Sequence, residues 1–255
     1  MLWAIDAGNT HIVVGLHDGD AWSAVWRLAT RTGETEDQLA ATLRTLCDQA
    51  GLTFAAEAIV VASVAPPVDD NLTRLGEQWL GVSPRFLRSG AEVGIEVEYE
   101  PPAAVGADRI ANALGAIALG ALPAIVVDFG TATTFDAISV QGRYLGGAIL
   151  PGVLVSLEAL ASHAAKLPSI SLRAPLKAIG RDTVASMESG VVLGYAGAID
   201  ALAARINVEL GGGASVVATG GLGEKFMGVA KSLRRYEPTL TLDGLRIAWR
   251  RWAAA

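Results

Sequence analysis

The sequence predicts an α/β fold written twice, and three observations carry that prediction. The first strands form a meander: Leu2 to Ile5, His11 to Leu16 and Trp22 to Leu28 are apolar or alternating runs, with Asp18-Gly19 supplying the second turn. The pattern returns as Ala124 to Val127, Thr133 to Ser139 and Arg143 to Ile149, with Gln141-Gly142 in the place of that turn. Both meanders open on an apolar run closed by Asp, any residue, Gly. The spacing from Asp6 to Gly19 is 13 residues and from Asp128 to Gly142 it is 14. Two homologous halves are the economical explanation.

The remaining elements follow in order. Thr35 and Gln38 fit a capping box that opens a helix, with Leu39, Leu43, Leu46 and Cys47 at helical spacing and Gly51 as its stop. A strand from Ala58 to Val64 comes next, then a helix after Pro66-Pro67, a short strand from Pro84 to Leu87 and a helix beginning near Ala104. Three antiparallel strands followed by alternating helices and strands make an RNase-H-like half. The second half carries helices after Pro151 and from Thr183 to about Glu209, a strand from Ser215 to Ala218 and a final helix from Asp243. The expected halves are residues 1–119 and 120–255, with the boundary near Leu119.

Composition narrows the function classes. At 51% hydrophobic the 255-residue chain can bury a substantial core. Its single cysteine, Cys47, cannot form an intramolecular disulfide and reads as a core residue in a reducing compartment. Against 26 acidic residues stand 20 basic ones with no Lys/Arg cluster, so the electrostatic footprint of a nucleic-acid binder is missing. The chain enters directly into Leu2-Trp3-Ala4-Ile5 without a basic n-region. The uncharged stretch from Ile110 to Val127 is nearly long enough to cross a bilayer, but Pro123 divides it into a helix and a short strand. The expectation is a cytoplasmic protein with neither a nucleic-acid nor a membrane partner.

The chemistry concentrates at turns. A strand that ends in Asp-x-Gly and turns back through a hydroxyl residue can offer backbone N–H groups to phosphate while the carboxylate faces its metal. Asp6-Ala7-Gly8-Asn9-Thr10 and Asp128-Phe129-Gly130-Thr131 both have this form. One copy would suggest only a polar hairpin. Two at equivalent positions suggest nucleotide phosphates held in a cleft between the halves. Gly106-Ala107-Asp108-Arg109 stands where a helix starts. Two readings stay open for it: an acid complementing the helix dipole beside a surface cation, or a general base beside an arginine that grips an anionic substrate.

The other motifs are weaker. Gly146-Gly147 to Pro151-Gly152 reads as a strand running closely packed into a helix, and Val216 to Gly221 as a strand closing on glycines, suited either to a nucleoside or to a tight turn. His163 and Lys166 have no metal-ligand spacing and read as surface or capping residues. Walker A, GxGxxG and zinc-type patterns are absent from the sequence.

Taken in order, Asp6 to Thr10, Gly106 to Arg109, Asp128-Phe129-Gly130-Thr131-Ala132-Thr133-Thr134-Phe135-Asp136, Gly146 to Gly152 and Thr219-Gly220-Gly221 resemble type III pantothenate kinases, of the actin-like ATPase fold, along essentially the whole chain. Ser63-Val64-Ala65-Pro66-Pro67, Ile179 to Thr183 and Leu240-Thr241-Leu242-Asp243-Gly244-Leu245 match as well. The resemblance implies transfer of the ATP γ-phosphoryl group to pantothenate at the first step of coenzyme A biosynthesis. It makes Asp108 the general base, and Tyr99, Gly106, Ala107, Asp108, Arg109 and Thr183 the pantothenate contacts. ATP falls to Asp6, Ala7, Gly8, Asn9, Thr10, His11, Ile12, Val13 and Thr131. Asp128 becomes the ligand of a monovalent cation, K+ or NH4+, and Asp6 meets Mg2+ or another divalent cation through water. A homodimer is implied too, with its interface beside the substrate pocket. Departures are mild: Ala7, His11 and Ala65 replace commoner residues. Two alternatives remain, another small-molecule kinase of the same superfamily and a non-catalytic accessory regulator of the same family.

Overall fold

In a computed structural model of the protein, which describes residues 1–164 and 167–254, the chain forms two compact units. The first comprises Met1–Ile95, Glu100–Gly115 and the residues from Thr241 onward; the second comprises Glu96–Tyr99 and Ala116–Leu240.

In the first unit, β1 (Leu2–Ala7), β2 (His11–His17) and β3 (Trp22–Ala29) form the meander. They are followed by α1 (Glu36–Gln49), β4 (Ala58–Ser63), α2 (Asp69–Arg74) and β5 (Arg85–Phe86), and α3 (Ala107–Ala118) begins here before carrying the chain out. The sheet order is β3-β2-β1-β4-β5, with β1 antiparallel to β2 and parallel to β4. Trp3, Ala4 and Ile5 are all fully buried, because β1 is covered on both faces; β3 at the edge alternates half-buried with exposed residues. The core joins Trp3, Ile5 and Val14 of the sheet to Leu39, Leu43 and Cys47 of α1. The capping box of α1 is complete: Gln38 N–H donates to Thr35 Oγ1 at 3.3 Å and Thr35 N–H donates to Gln38 Oε1 at 3.0 Å.

The second unit repeats this with β6 (Ala124–Phe129), β7 (Ala132–Ile138), β8 (Tyr144–Pro151), α4 (Val153–His163), α5 (Thr183–Glu188), α6 (Gly194–Glu209), β9 (Ser215–Gly220), α7 (Gly223–Phe226) and β10 (Arg235–Tyr236). Its order, β8-β7-β6-β9-β10, is that of the first sheet, strand for strand. The duplication reaches the irregularities. The first meander shifts register between Leu16 and His17, the second between Ala137 and Ile138. This confirms the duplicated α/β architecture expected from the sequence.

Several elements differ from expectation. The last helix, α8 (Leu240–Ala254), starts three residues before Asp243 and packs on the first unit. Trp22 Nε1–H donates to Asp243 Oδ1 at 3.0 Å, and the Arg251 guanidinium donates to the Val93 carbonyl. Conversely, Glu96–Tyr99 joins the second unit, since Tyr144 N–H donates to Glu96 O at 2.9 Å and Glu98 N–H to Tyr144 O at 2.8 Å. The stretch from 110 to 127 does divide into α3 and β6. Thr183–Glu209, continuous through a π turn at Ser189–Leu193, is the helix among the described residues that is long and apolar enough to cross a membrane by length and composition. It nevertheless places Val192, Ala196, Ile199 and Ala203 in the second core.

Thr35→Ala should destabilise the protein by about 1 kcal/mol through loss of the cap, and Thr35→Ser should not. Chemical denaturation followed by circular dichroism measures both.

Candidate active site

In the first unit, three segments meet where β1 and β4 end. β1 closes on Asp6, half-buried after the three fully buried residues Trp3, Ala4 and Ile5. The turn to β2 is closed by Gly8 N–H donating to His11 O at 2.9 Å, and Thr30 Oγ1–H donates to Gly8 O at 2.6 Å. The Gly8 amide therefore serves the hairpin itself, and the exposed tip of the turn is Asn9-Thr10. Ile12 lies in the core with Val13 half-buried beside it, so Ile12 can approach a ligand only through its backbone. His11 is an exposed residue; partial desolvation and then the charge of Arg27 hold its pKa below the ordinary value.

Val64 joins this turn to the acid at the start of α3. Its N–H donates to Ala7 O at 3.0 Å, and its Cγ1 would lie 3.3 Å from a methyl group on Gly106. Ser63 Oγ–H donates to Asp69 Oδ1 at 2.5 Å and accepts from Ala65 N–H at 3.2 Å, which braces the turn that carries Val64. A methyl on Gly106 would also reach within 2.5 Å of Asp108 Oδ1, so the carboxylate folds back over a residue that has no side chain. Arg109 N–H donates to that same oxygen at 2.8 Å, while the Arg109 side chain is buried.

Burial pushes the Asp108 carboxyl above the ordinary Asp range; the Arg109 amide bond and guanidinium charge pull the other way without cancelling it. A carboxylate raised in this manner is a stronger base than one in water, which is the tuning general-base chemistry requires.

In the second unit, β6 closes on Asp128, also half-buried after a buried run. Gly220, at φ +81°, lies directly against the Asp128 carboxylate, where any side chain would collide with it. The Thr219 hydroxyl donates to Glu237 O at 2.7 Å. Gly130 N–H donates to Ala132 O at 3.0 Å, and exposed Thr131 accepts from Gly152 N–H at 3.0 Å through its carbonyl. Tyr99 belongs to this unit and lies across Gly146, its Cδ2 3.6 Å from where a methyl there would be. Buried Tyr144 donates from its hydroxyl to Asp136 Oδ1 at 2.9 Å, stiffening the hairpin beneath. The sequence signals this pair only by a carboxylate placed inside a strand, between Phe135 and Ala137.

Thr183 opens α5, with Asp182 Oδ1 accepting from Ala185 N–H at 2.8 Å as cap. It lines an open groove of about 660 Å³ with Leu160, Leu167, Arg181 and Met187. His163 Nδ1 lies 2.9 Å from Ala159 O and 3.0 Å from Ser162 Oγ, a local role as expected. Lys166 falls outside the described residues.

Residues 2–205 match the family model of type III pantothenate kinase. Curated relatives of that name are 46% identical over 248 residues in Anaeromyxobacter sp. (strain Fw109-5) and 44% identical over 252 residues in Myxococcus xanthus (strain DK1622), covering 97–98% of this chain and 98% of theirs. The chain belongs to the type III pantothenate kinase family. The fold of the family is shared more widely. A conserved Baf family protein from Campylobacter jejuni superposes with a TM-score of 0.64 at 20% identity, over 99% of this chain and 100% of that one. The activator of 2-hydroxyisocaproyl-CoA dehydratase from Clostridium difficile superposes at 0.56 and 13% identity, over 99% and 96%. At such identities these likenesses speak to fold alone.

The raised Asp108 pKa has a consequence for stability. The carboxyl ionises less readily folded than unfolded, so stability is greatest below the ordinary Asp value of about 3.9 and is lost as pH rises through the higher folded value. Asp108→Asn should therefore melt at a higher temperature than the parent at pH 7, with the gain shrinking toward pH 4. Equal shifts at both pH values would contradict the desolvation.

Proposed function

We infer that this protein transfers the γ-phosphoryl group of ATP to the primary hydroxyl of pantothenate, yielding 4'-phosphopantothenate and ADP at the first step of coenzyme A biosynthesis. Near-full-length membership of the type III pantothenate kinase family supports the reaction. The observation that carries the mechanism is Asp108, a desolvated carboxylate held over Gly106 at the start of α3.

Asp108 takes the proton of the pantothenate hydroxyl as the new O–P bond forms and the bond to the β-phosphate oxygen breaks, releasing ADP. Arg109, the next residue, pairs with the pantothenate carboxylate, and Tyr99, Gly106, Ala107 and Thr183 shape the acceptor site. The exposed tip Asn9-Thr10 and exposed Thr131 are the phosphate contacts. Among the described residues no three of His, Cys, Asp and Glu are grouped to hold a metal by themselves. That suits a divalent cation bound mainly by phosphate and water, with Asp6 as its carboxylate partner. Such a cation supplies positive charge across the phosphates when bound. Asp128, whose carboxylate lies against the side-chain-free Gly220, offers a hard oxygen donor to K+ or NH4+.

The active species is a homodimer. Ile149, Leu154, Val155, Leu160, Ile179 and Val184 leave large apolar side chains exposed within one stretch of the second unit, which includes Thr183. A second copy covering them removes an unfavourable surface. Leu154→Glu combined with Ile179→Glu should give a monomer by analytical ultracentrifugation; a parent already monomeric at micromolar concentration would refute the dimer. The acidic chain with one buried cysteine supports a cytoplasmic location.

Incubation with magnesium-ATP, potassium and a panel including pantothenate, followed by mass spectrometry, should yield phosphopantothenate alone, with much less when sodium replaces potassium. Asp108→Asn should lower kcat/KM by roughly 100- to 10,000-fold. In the parent, kcat/KM for pantothenate should fall with decreasing pH at a value above the ordinary Asp range, because the base must be ionised. Phosphorylation of a different alcohol, with pantothenate untouched, would overturn the reading.

A further inference from the structure

The segment Leu240 to Leu245 has no assigned part in the reaction, yet it packs directly on the backbone of α3. Thr241 Oγ1–H donates to Asn112 Oδ1 at 2.7 Å; both residues are buried, Asn112 completely. Asn112 follows Asp108 by four residues on α3 and therefore lies one turn along on the same side of the helix. Three residues on from Thr241, Gly244 rests on the backbone of Ala111, so closely that a methyl group at Gly244 would overlap the Ala111 carbonyl. Buried Leu242 and Leu245 accompany these contacts, and Asp243, bonded to Trp22, anchors α8 to β3.

We propose that the start of α8 positions the catalytic base: the Thr241–Asn112 hydrogen bond sets the rotation of α3, the Gly244–Ala111 contact sets its depth, and together they place the Asp108 carboxylate. The proposal rests on Asp108 being the base. Apolar packing alone could hold two helices together, but it is non-directional and tolerates small slips. A buried hydroxyl–amide pair does not, because a slip breaks a directional bond between two groups shielded from water. Displacing a reacting group by about 1 Å can slow a reaction on the order of 100-fold, so the register of α3 matters to turnover. Thr241, Asn112 and Gly244 are positioning residues; none is assigned a contact with substrate.

Thr241→Val keeps the shape and removes the hydroxyl. It should lower kcat about tenfold or more while leaving KM for ATP within about twofold, because the phosphate-binding turn lies on β1 and β2. Thr241→Ser should recover kcat. Leu43→Ala, on the buried face of α1, serves as a control that loses thermal stability without losing kcat. Gly244→Ala, which lifts α8 off Ala111, should give the same split between kcat and KM and substitutes for Thr241→Val if that variant does not fold. Parental kcat in Thr241→Val or Gly244→Ala, or an equal kcat loss in Leu43→Ala at matched stability, overturns the proposal. Asp108→Asn assayed in parallel separates the two layers. If it is active, the base assignment and this inference fall together; if it is inactive while Thr241→Val turns over normally, only this inference falls.

Discussion

The central strand of each sheet is the constraint on which the rest of the molecule depends. β1 lies between antiparallel β2 and parallel β4, and β6 lies between antiparallel β7 and parallel β9, so both edges of each strand are hydrogen-bonded. Their residues are buried almost without interruption. A charged group in a strand enclosed in this way is least costly near the strand end, where water is within reach. Asp6 and Asp128 stand at that point, each the penultimate residue of its strand and each half-buried. The hairpins that follow are tied to the same strand ends, which gives the candidate phosphate turns a rigid base.

The two turns share an origin in the fold but are braced differently. Gly8 receives the Thr30 hydroxyl on its carbonyl, whereas the Thr131 carbonyl receives the amide of Gly152 at the start of α4. Their glycine amides close the hairpins, which leaves the exposed residues at the tips as the candidate phosphate contacts. Opposite Asp6 on β4 is Ala62, and opposite Asp128 on β9 is Thr219, which leads into the left-handed Gly220. A repeated motif has thus acquired two environments, in keeping with one turn serving the divalent metal of ATP and the other a monovalent cation under the proposed function.

The placement of Asp108 obeys a different logic. Its carboxyl is desolvated by its surroundings yet held by the Arg109 amide, so the same burial that destabilises the ion in the folded protein would strengthen it as the base of the proposed reaction. Val64 connects it to the first turn from one side, and α8 meets α3 from another. Stability given up at Asp108 is offset by core packing elsewhere.

Much of the fold was legible in the sequence because helices and strands declare themselves locally. The capping box at Thr35 and Gln38, the apolar runs before Asp6 and Asp128, and the turn glycines each depend on residues a few positions apart. Of the short elements, β5 was legible within the run from Pro84 to Leu87, whereas β10 and α7, of two and four residues, carry neither a period nor a clear apolar run. The residues of the candidate site were legible as motifs, but not their surroundings: the Gly8 amide spent on its own hairpin, Ile12 in the core, Tyr99 in the second unit. The return of α8 to the first unit was hidden for the same reason. Asn112 and Thr241 are 129 residues apart, and a buried hydrogen bond between them has no local signature. Sequence determined which residues could do chemistry; tertiary structure decided which were desolvated, braced or spent on the scaffold, because burial and hydrogen-bond partnership belong to the folded chain.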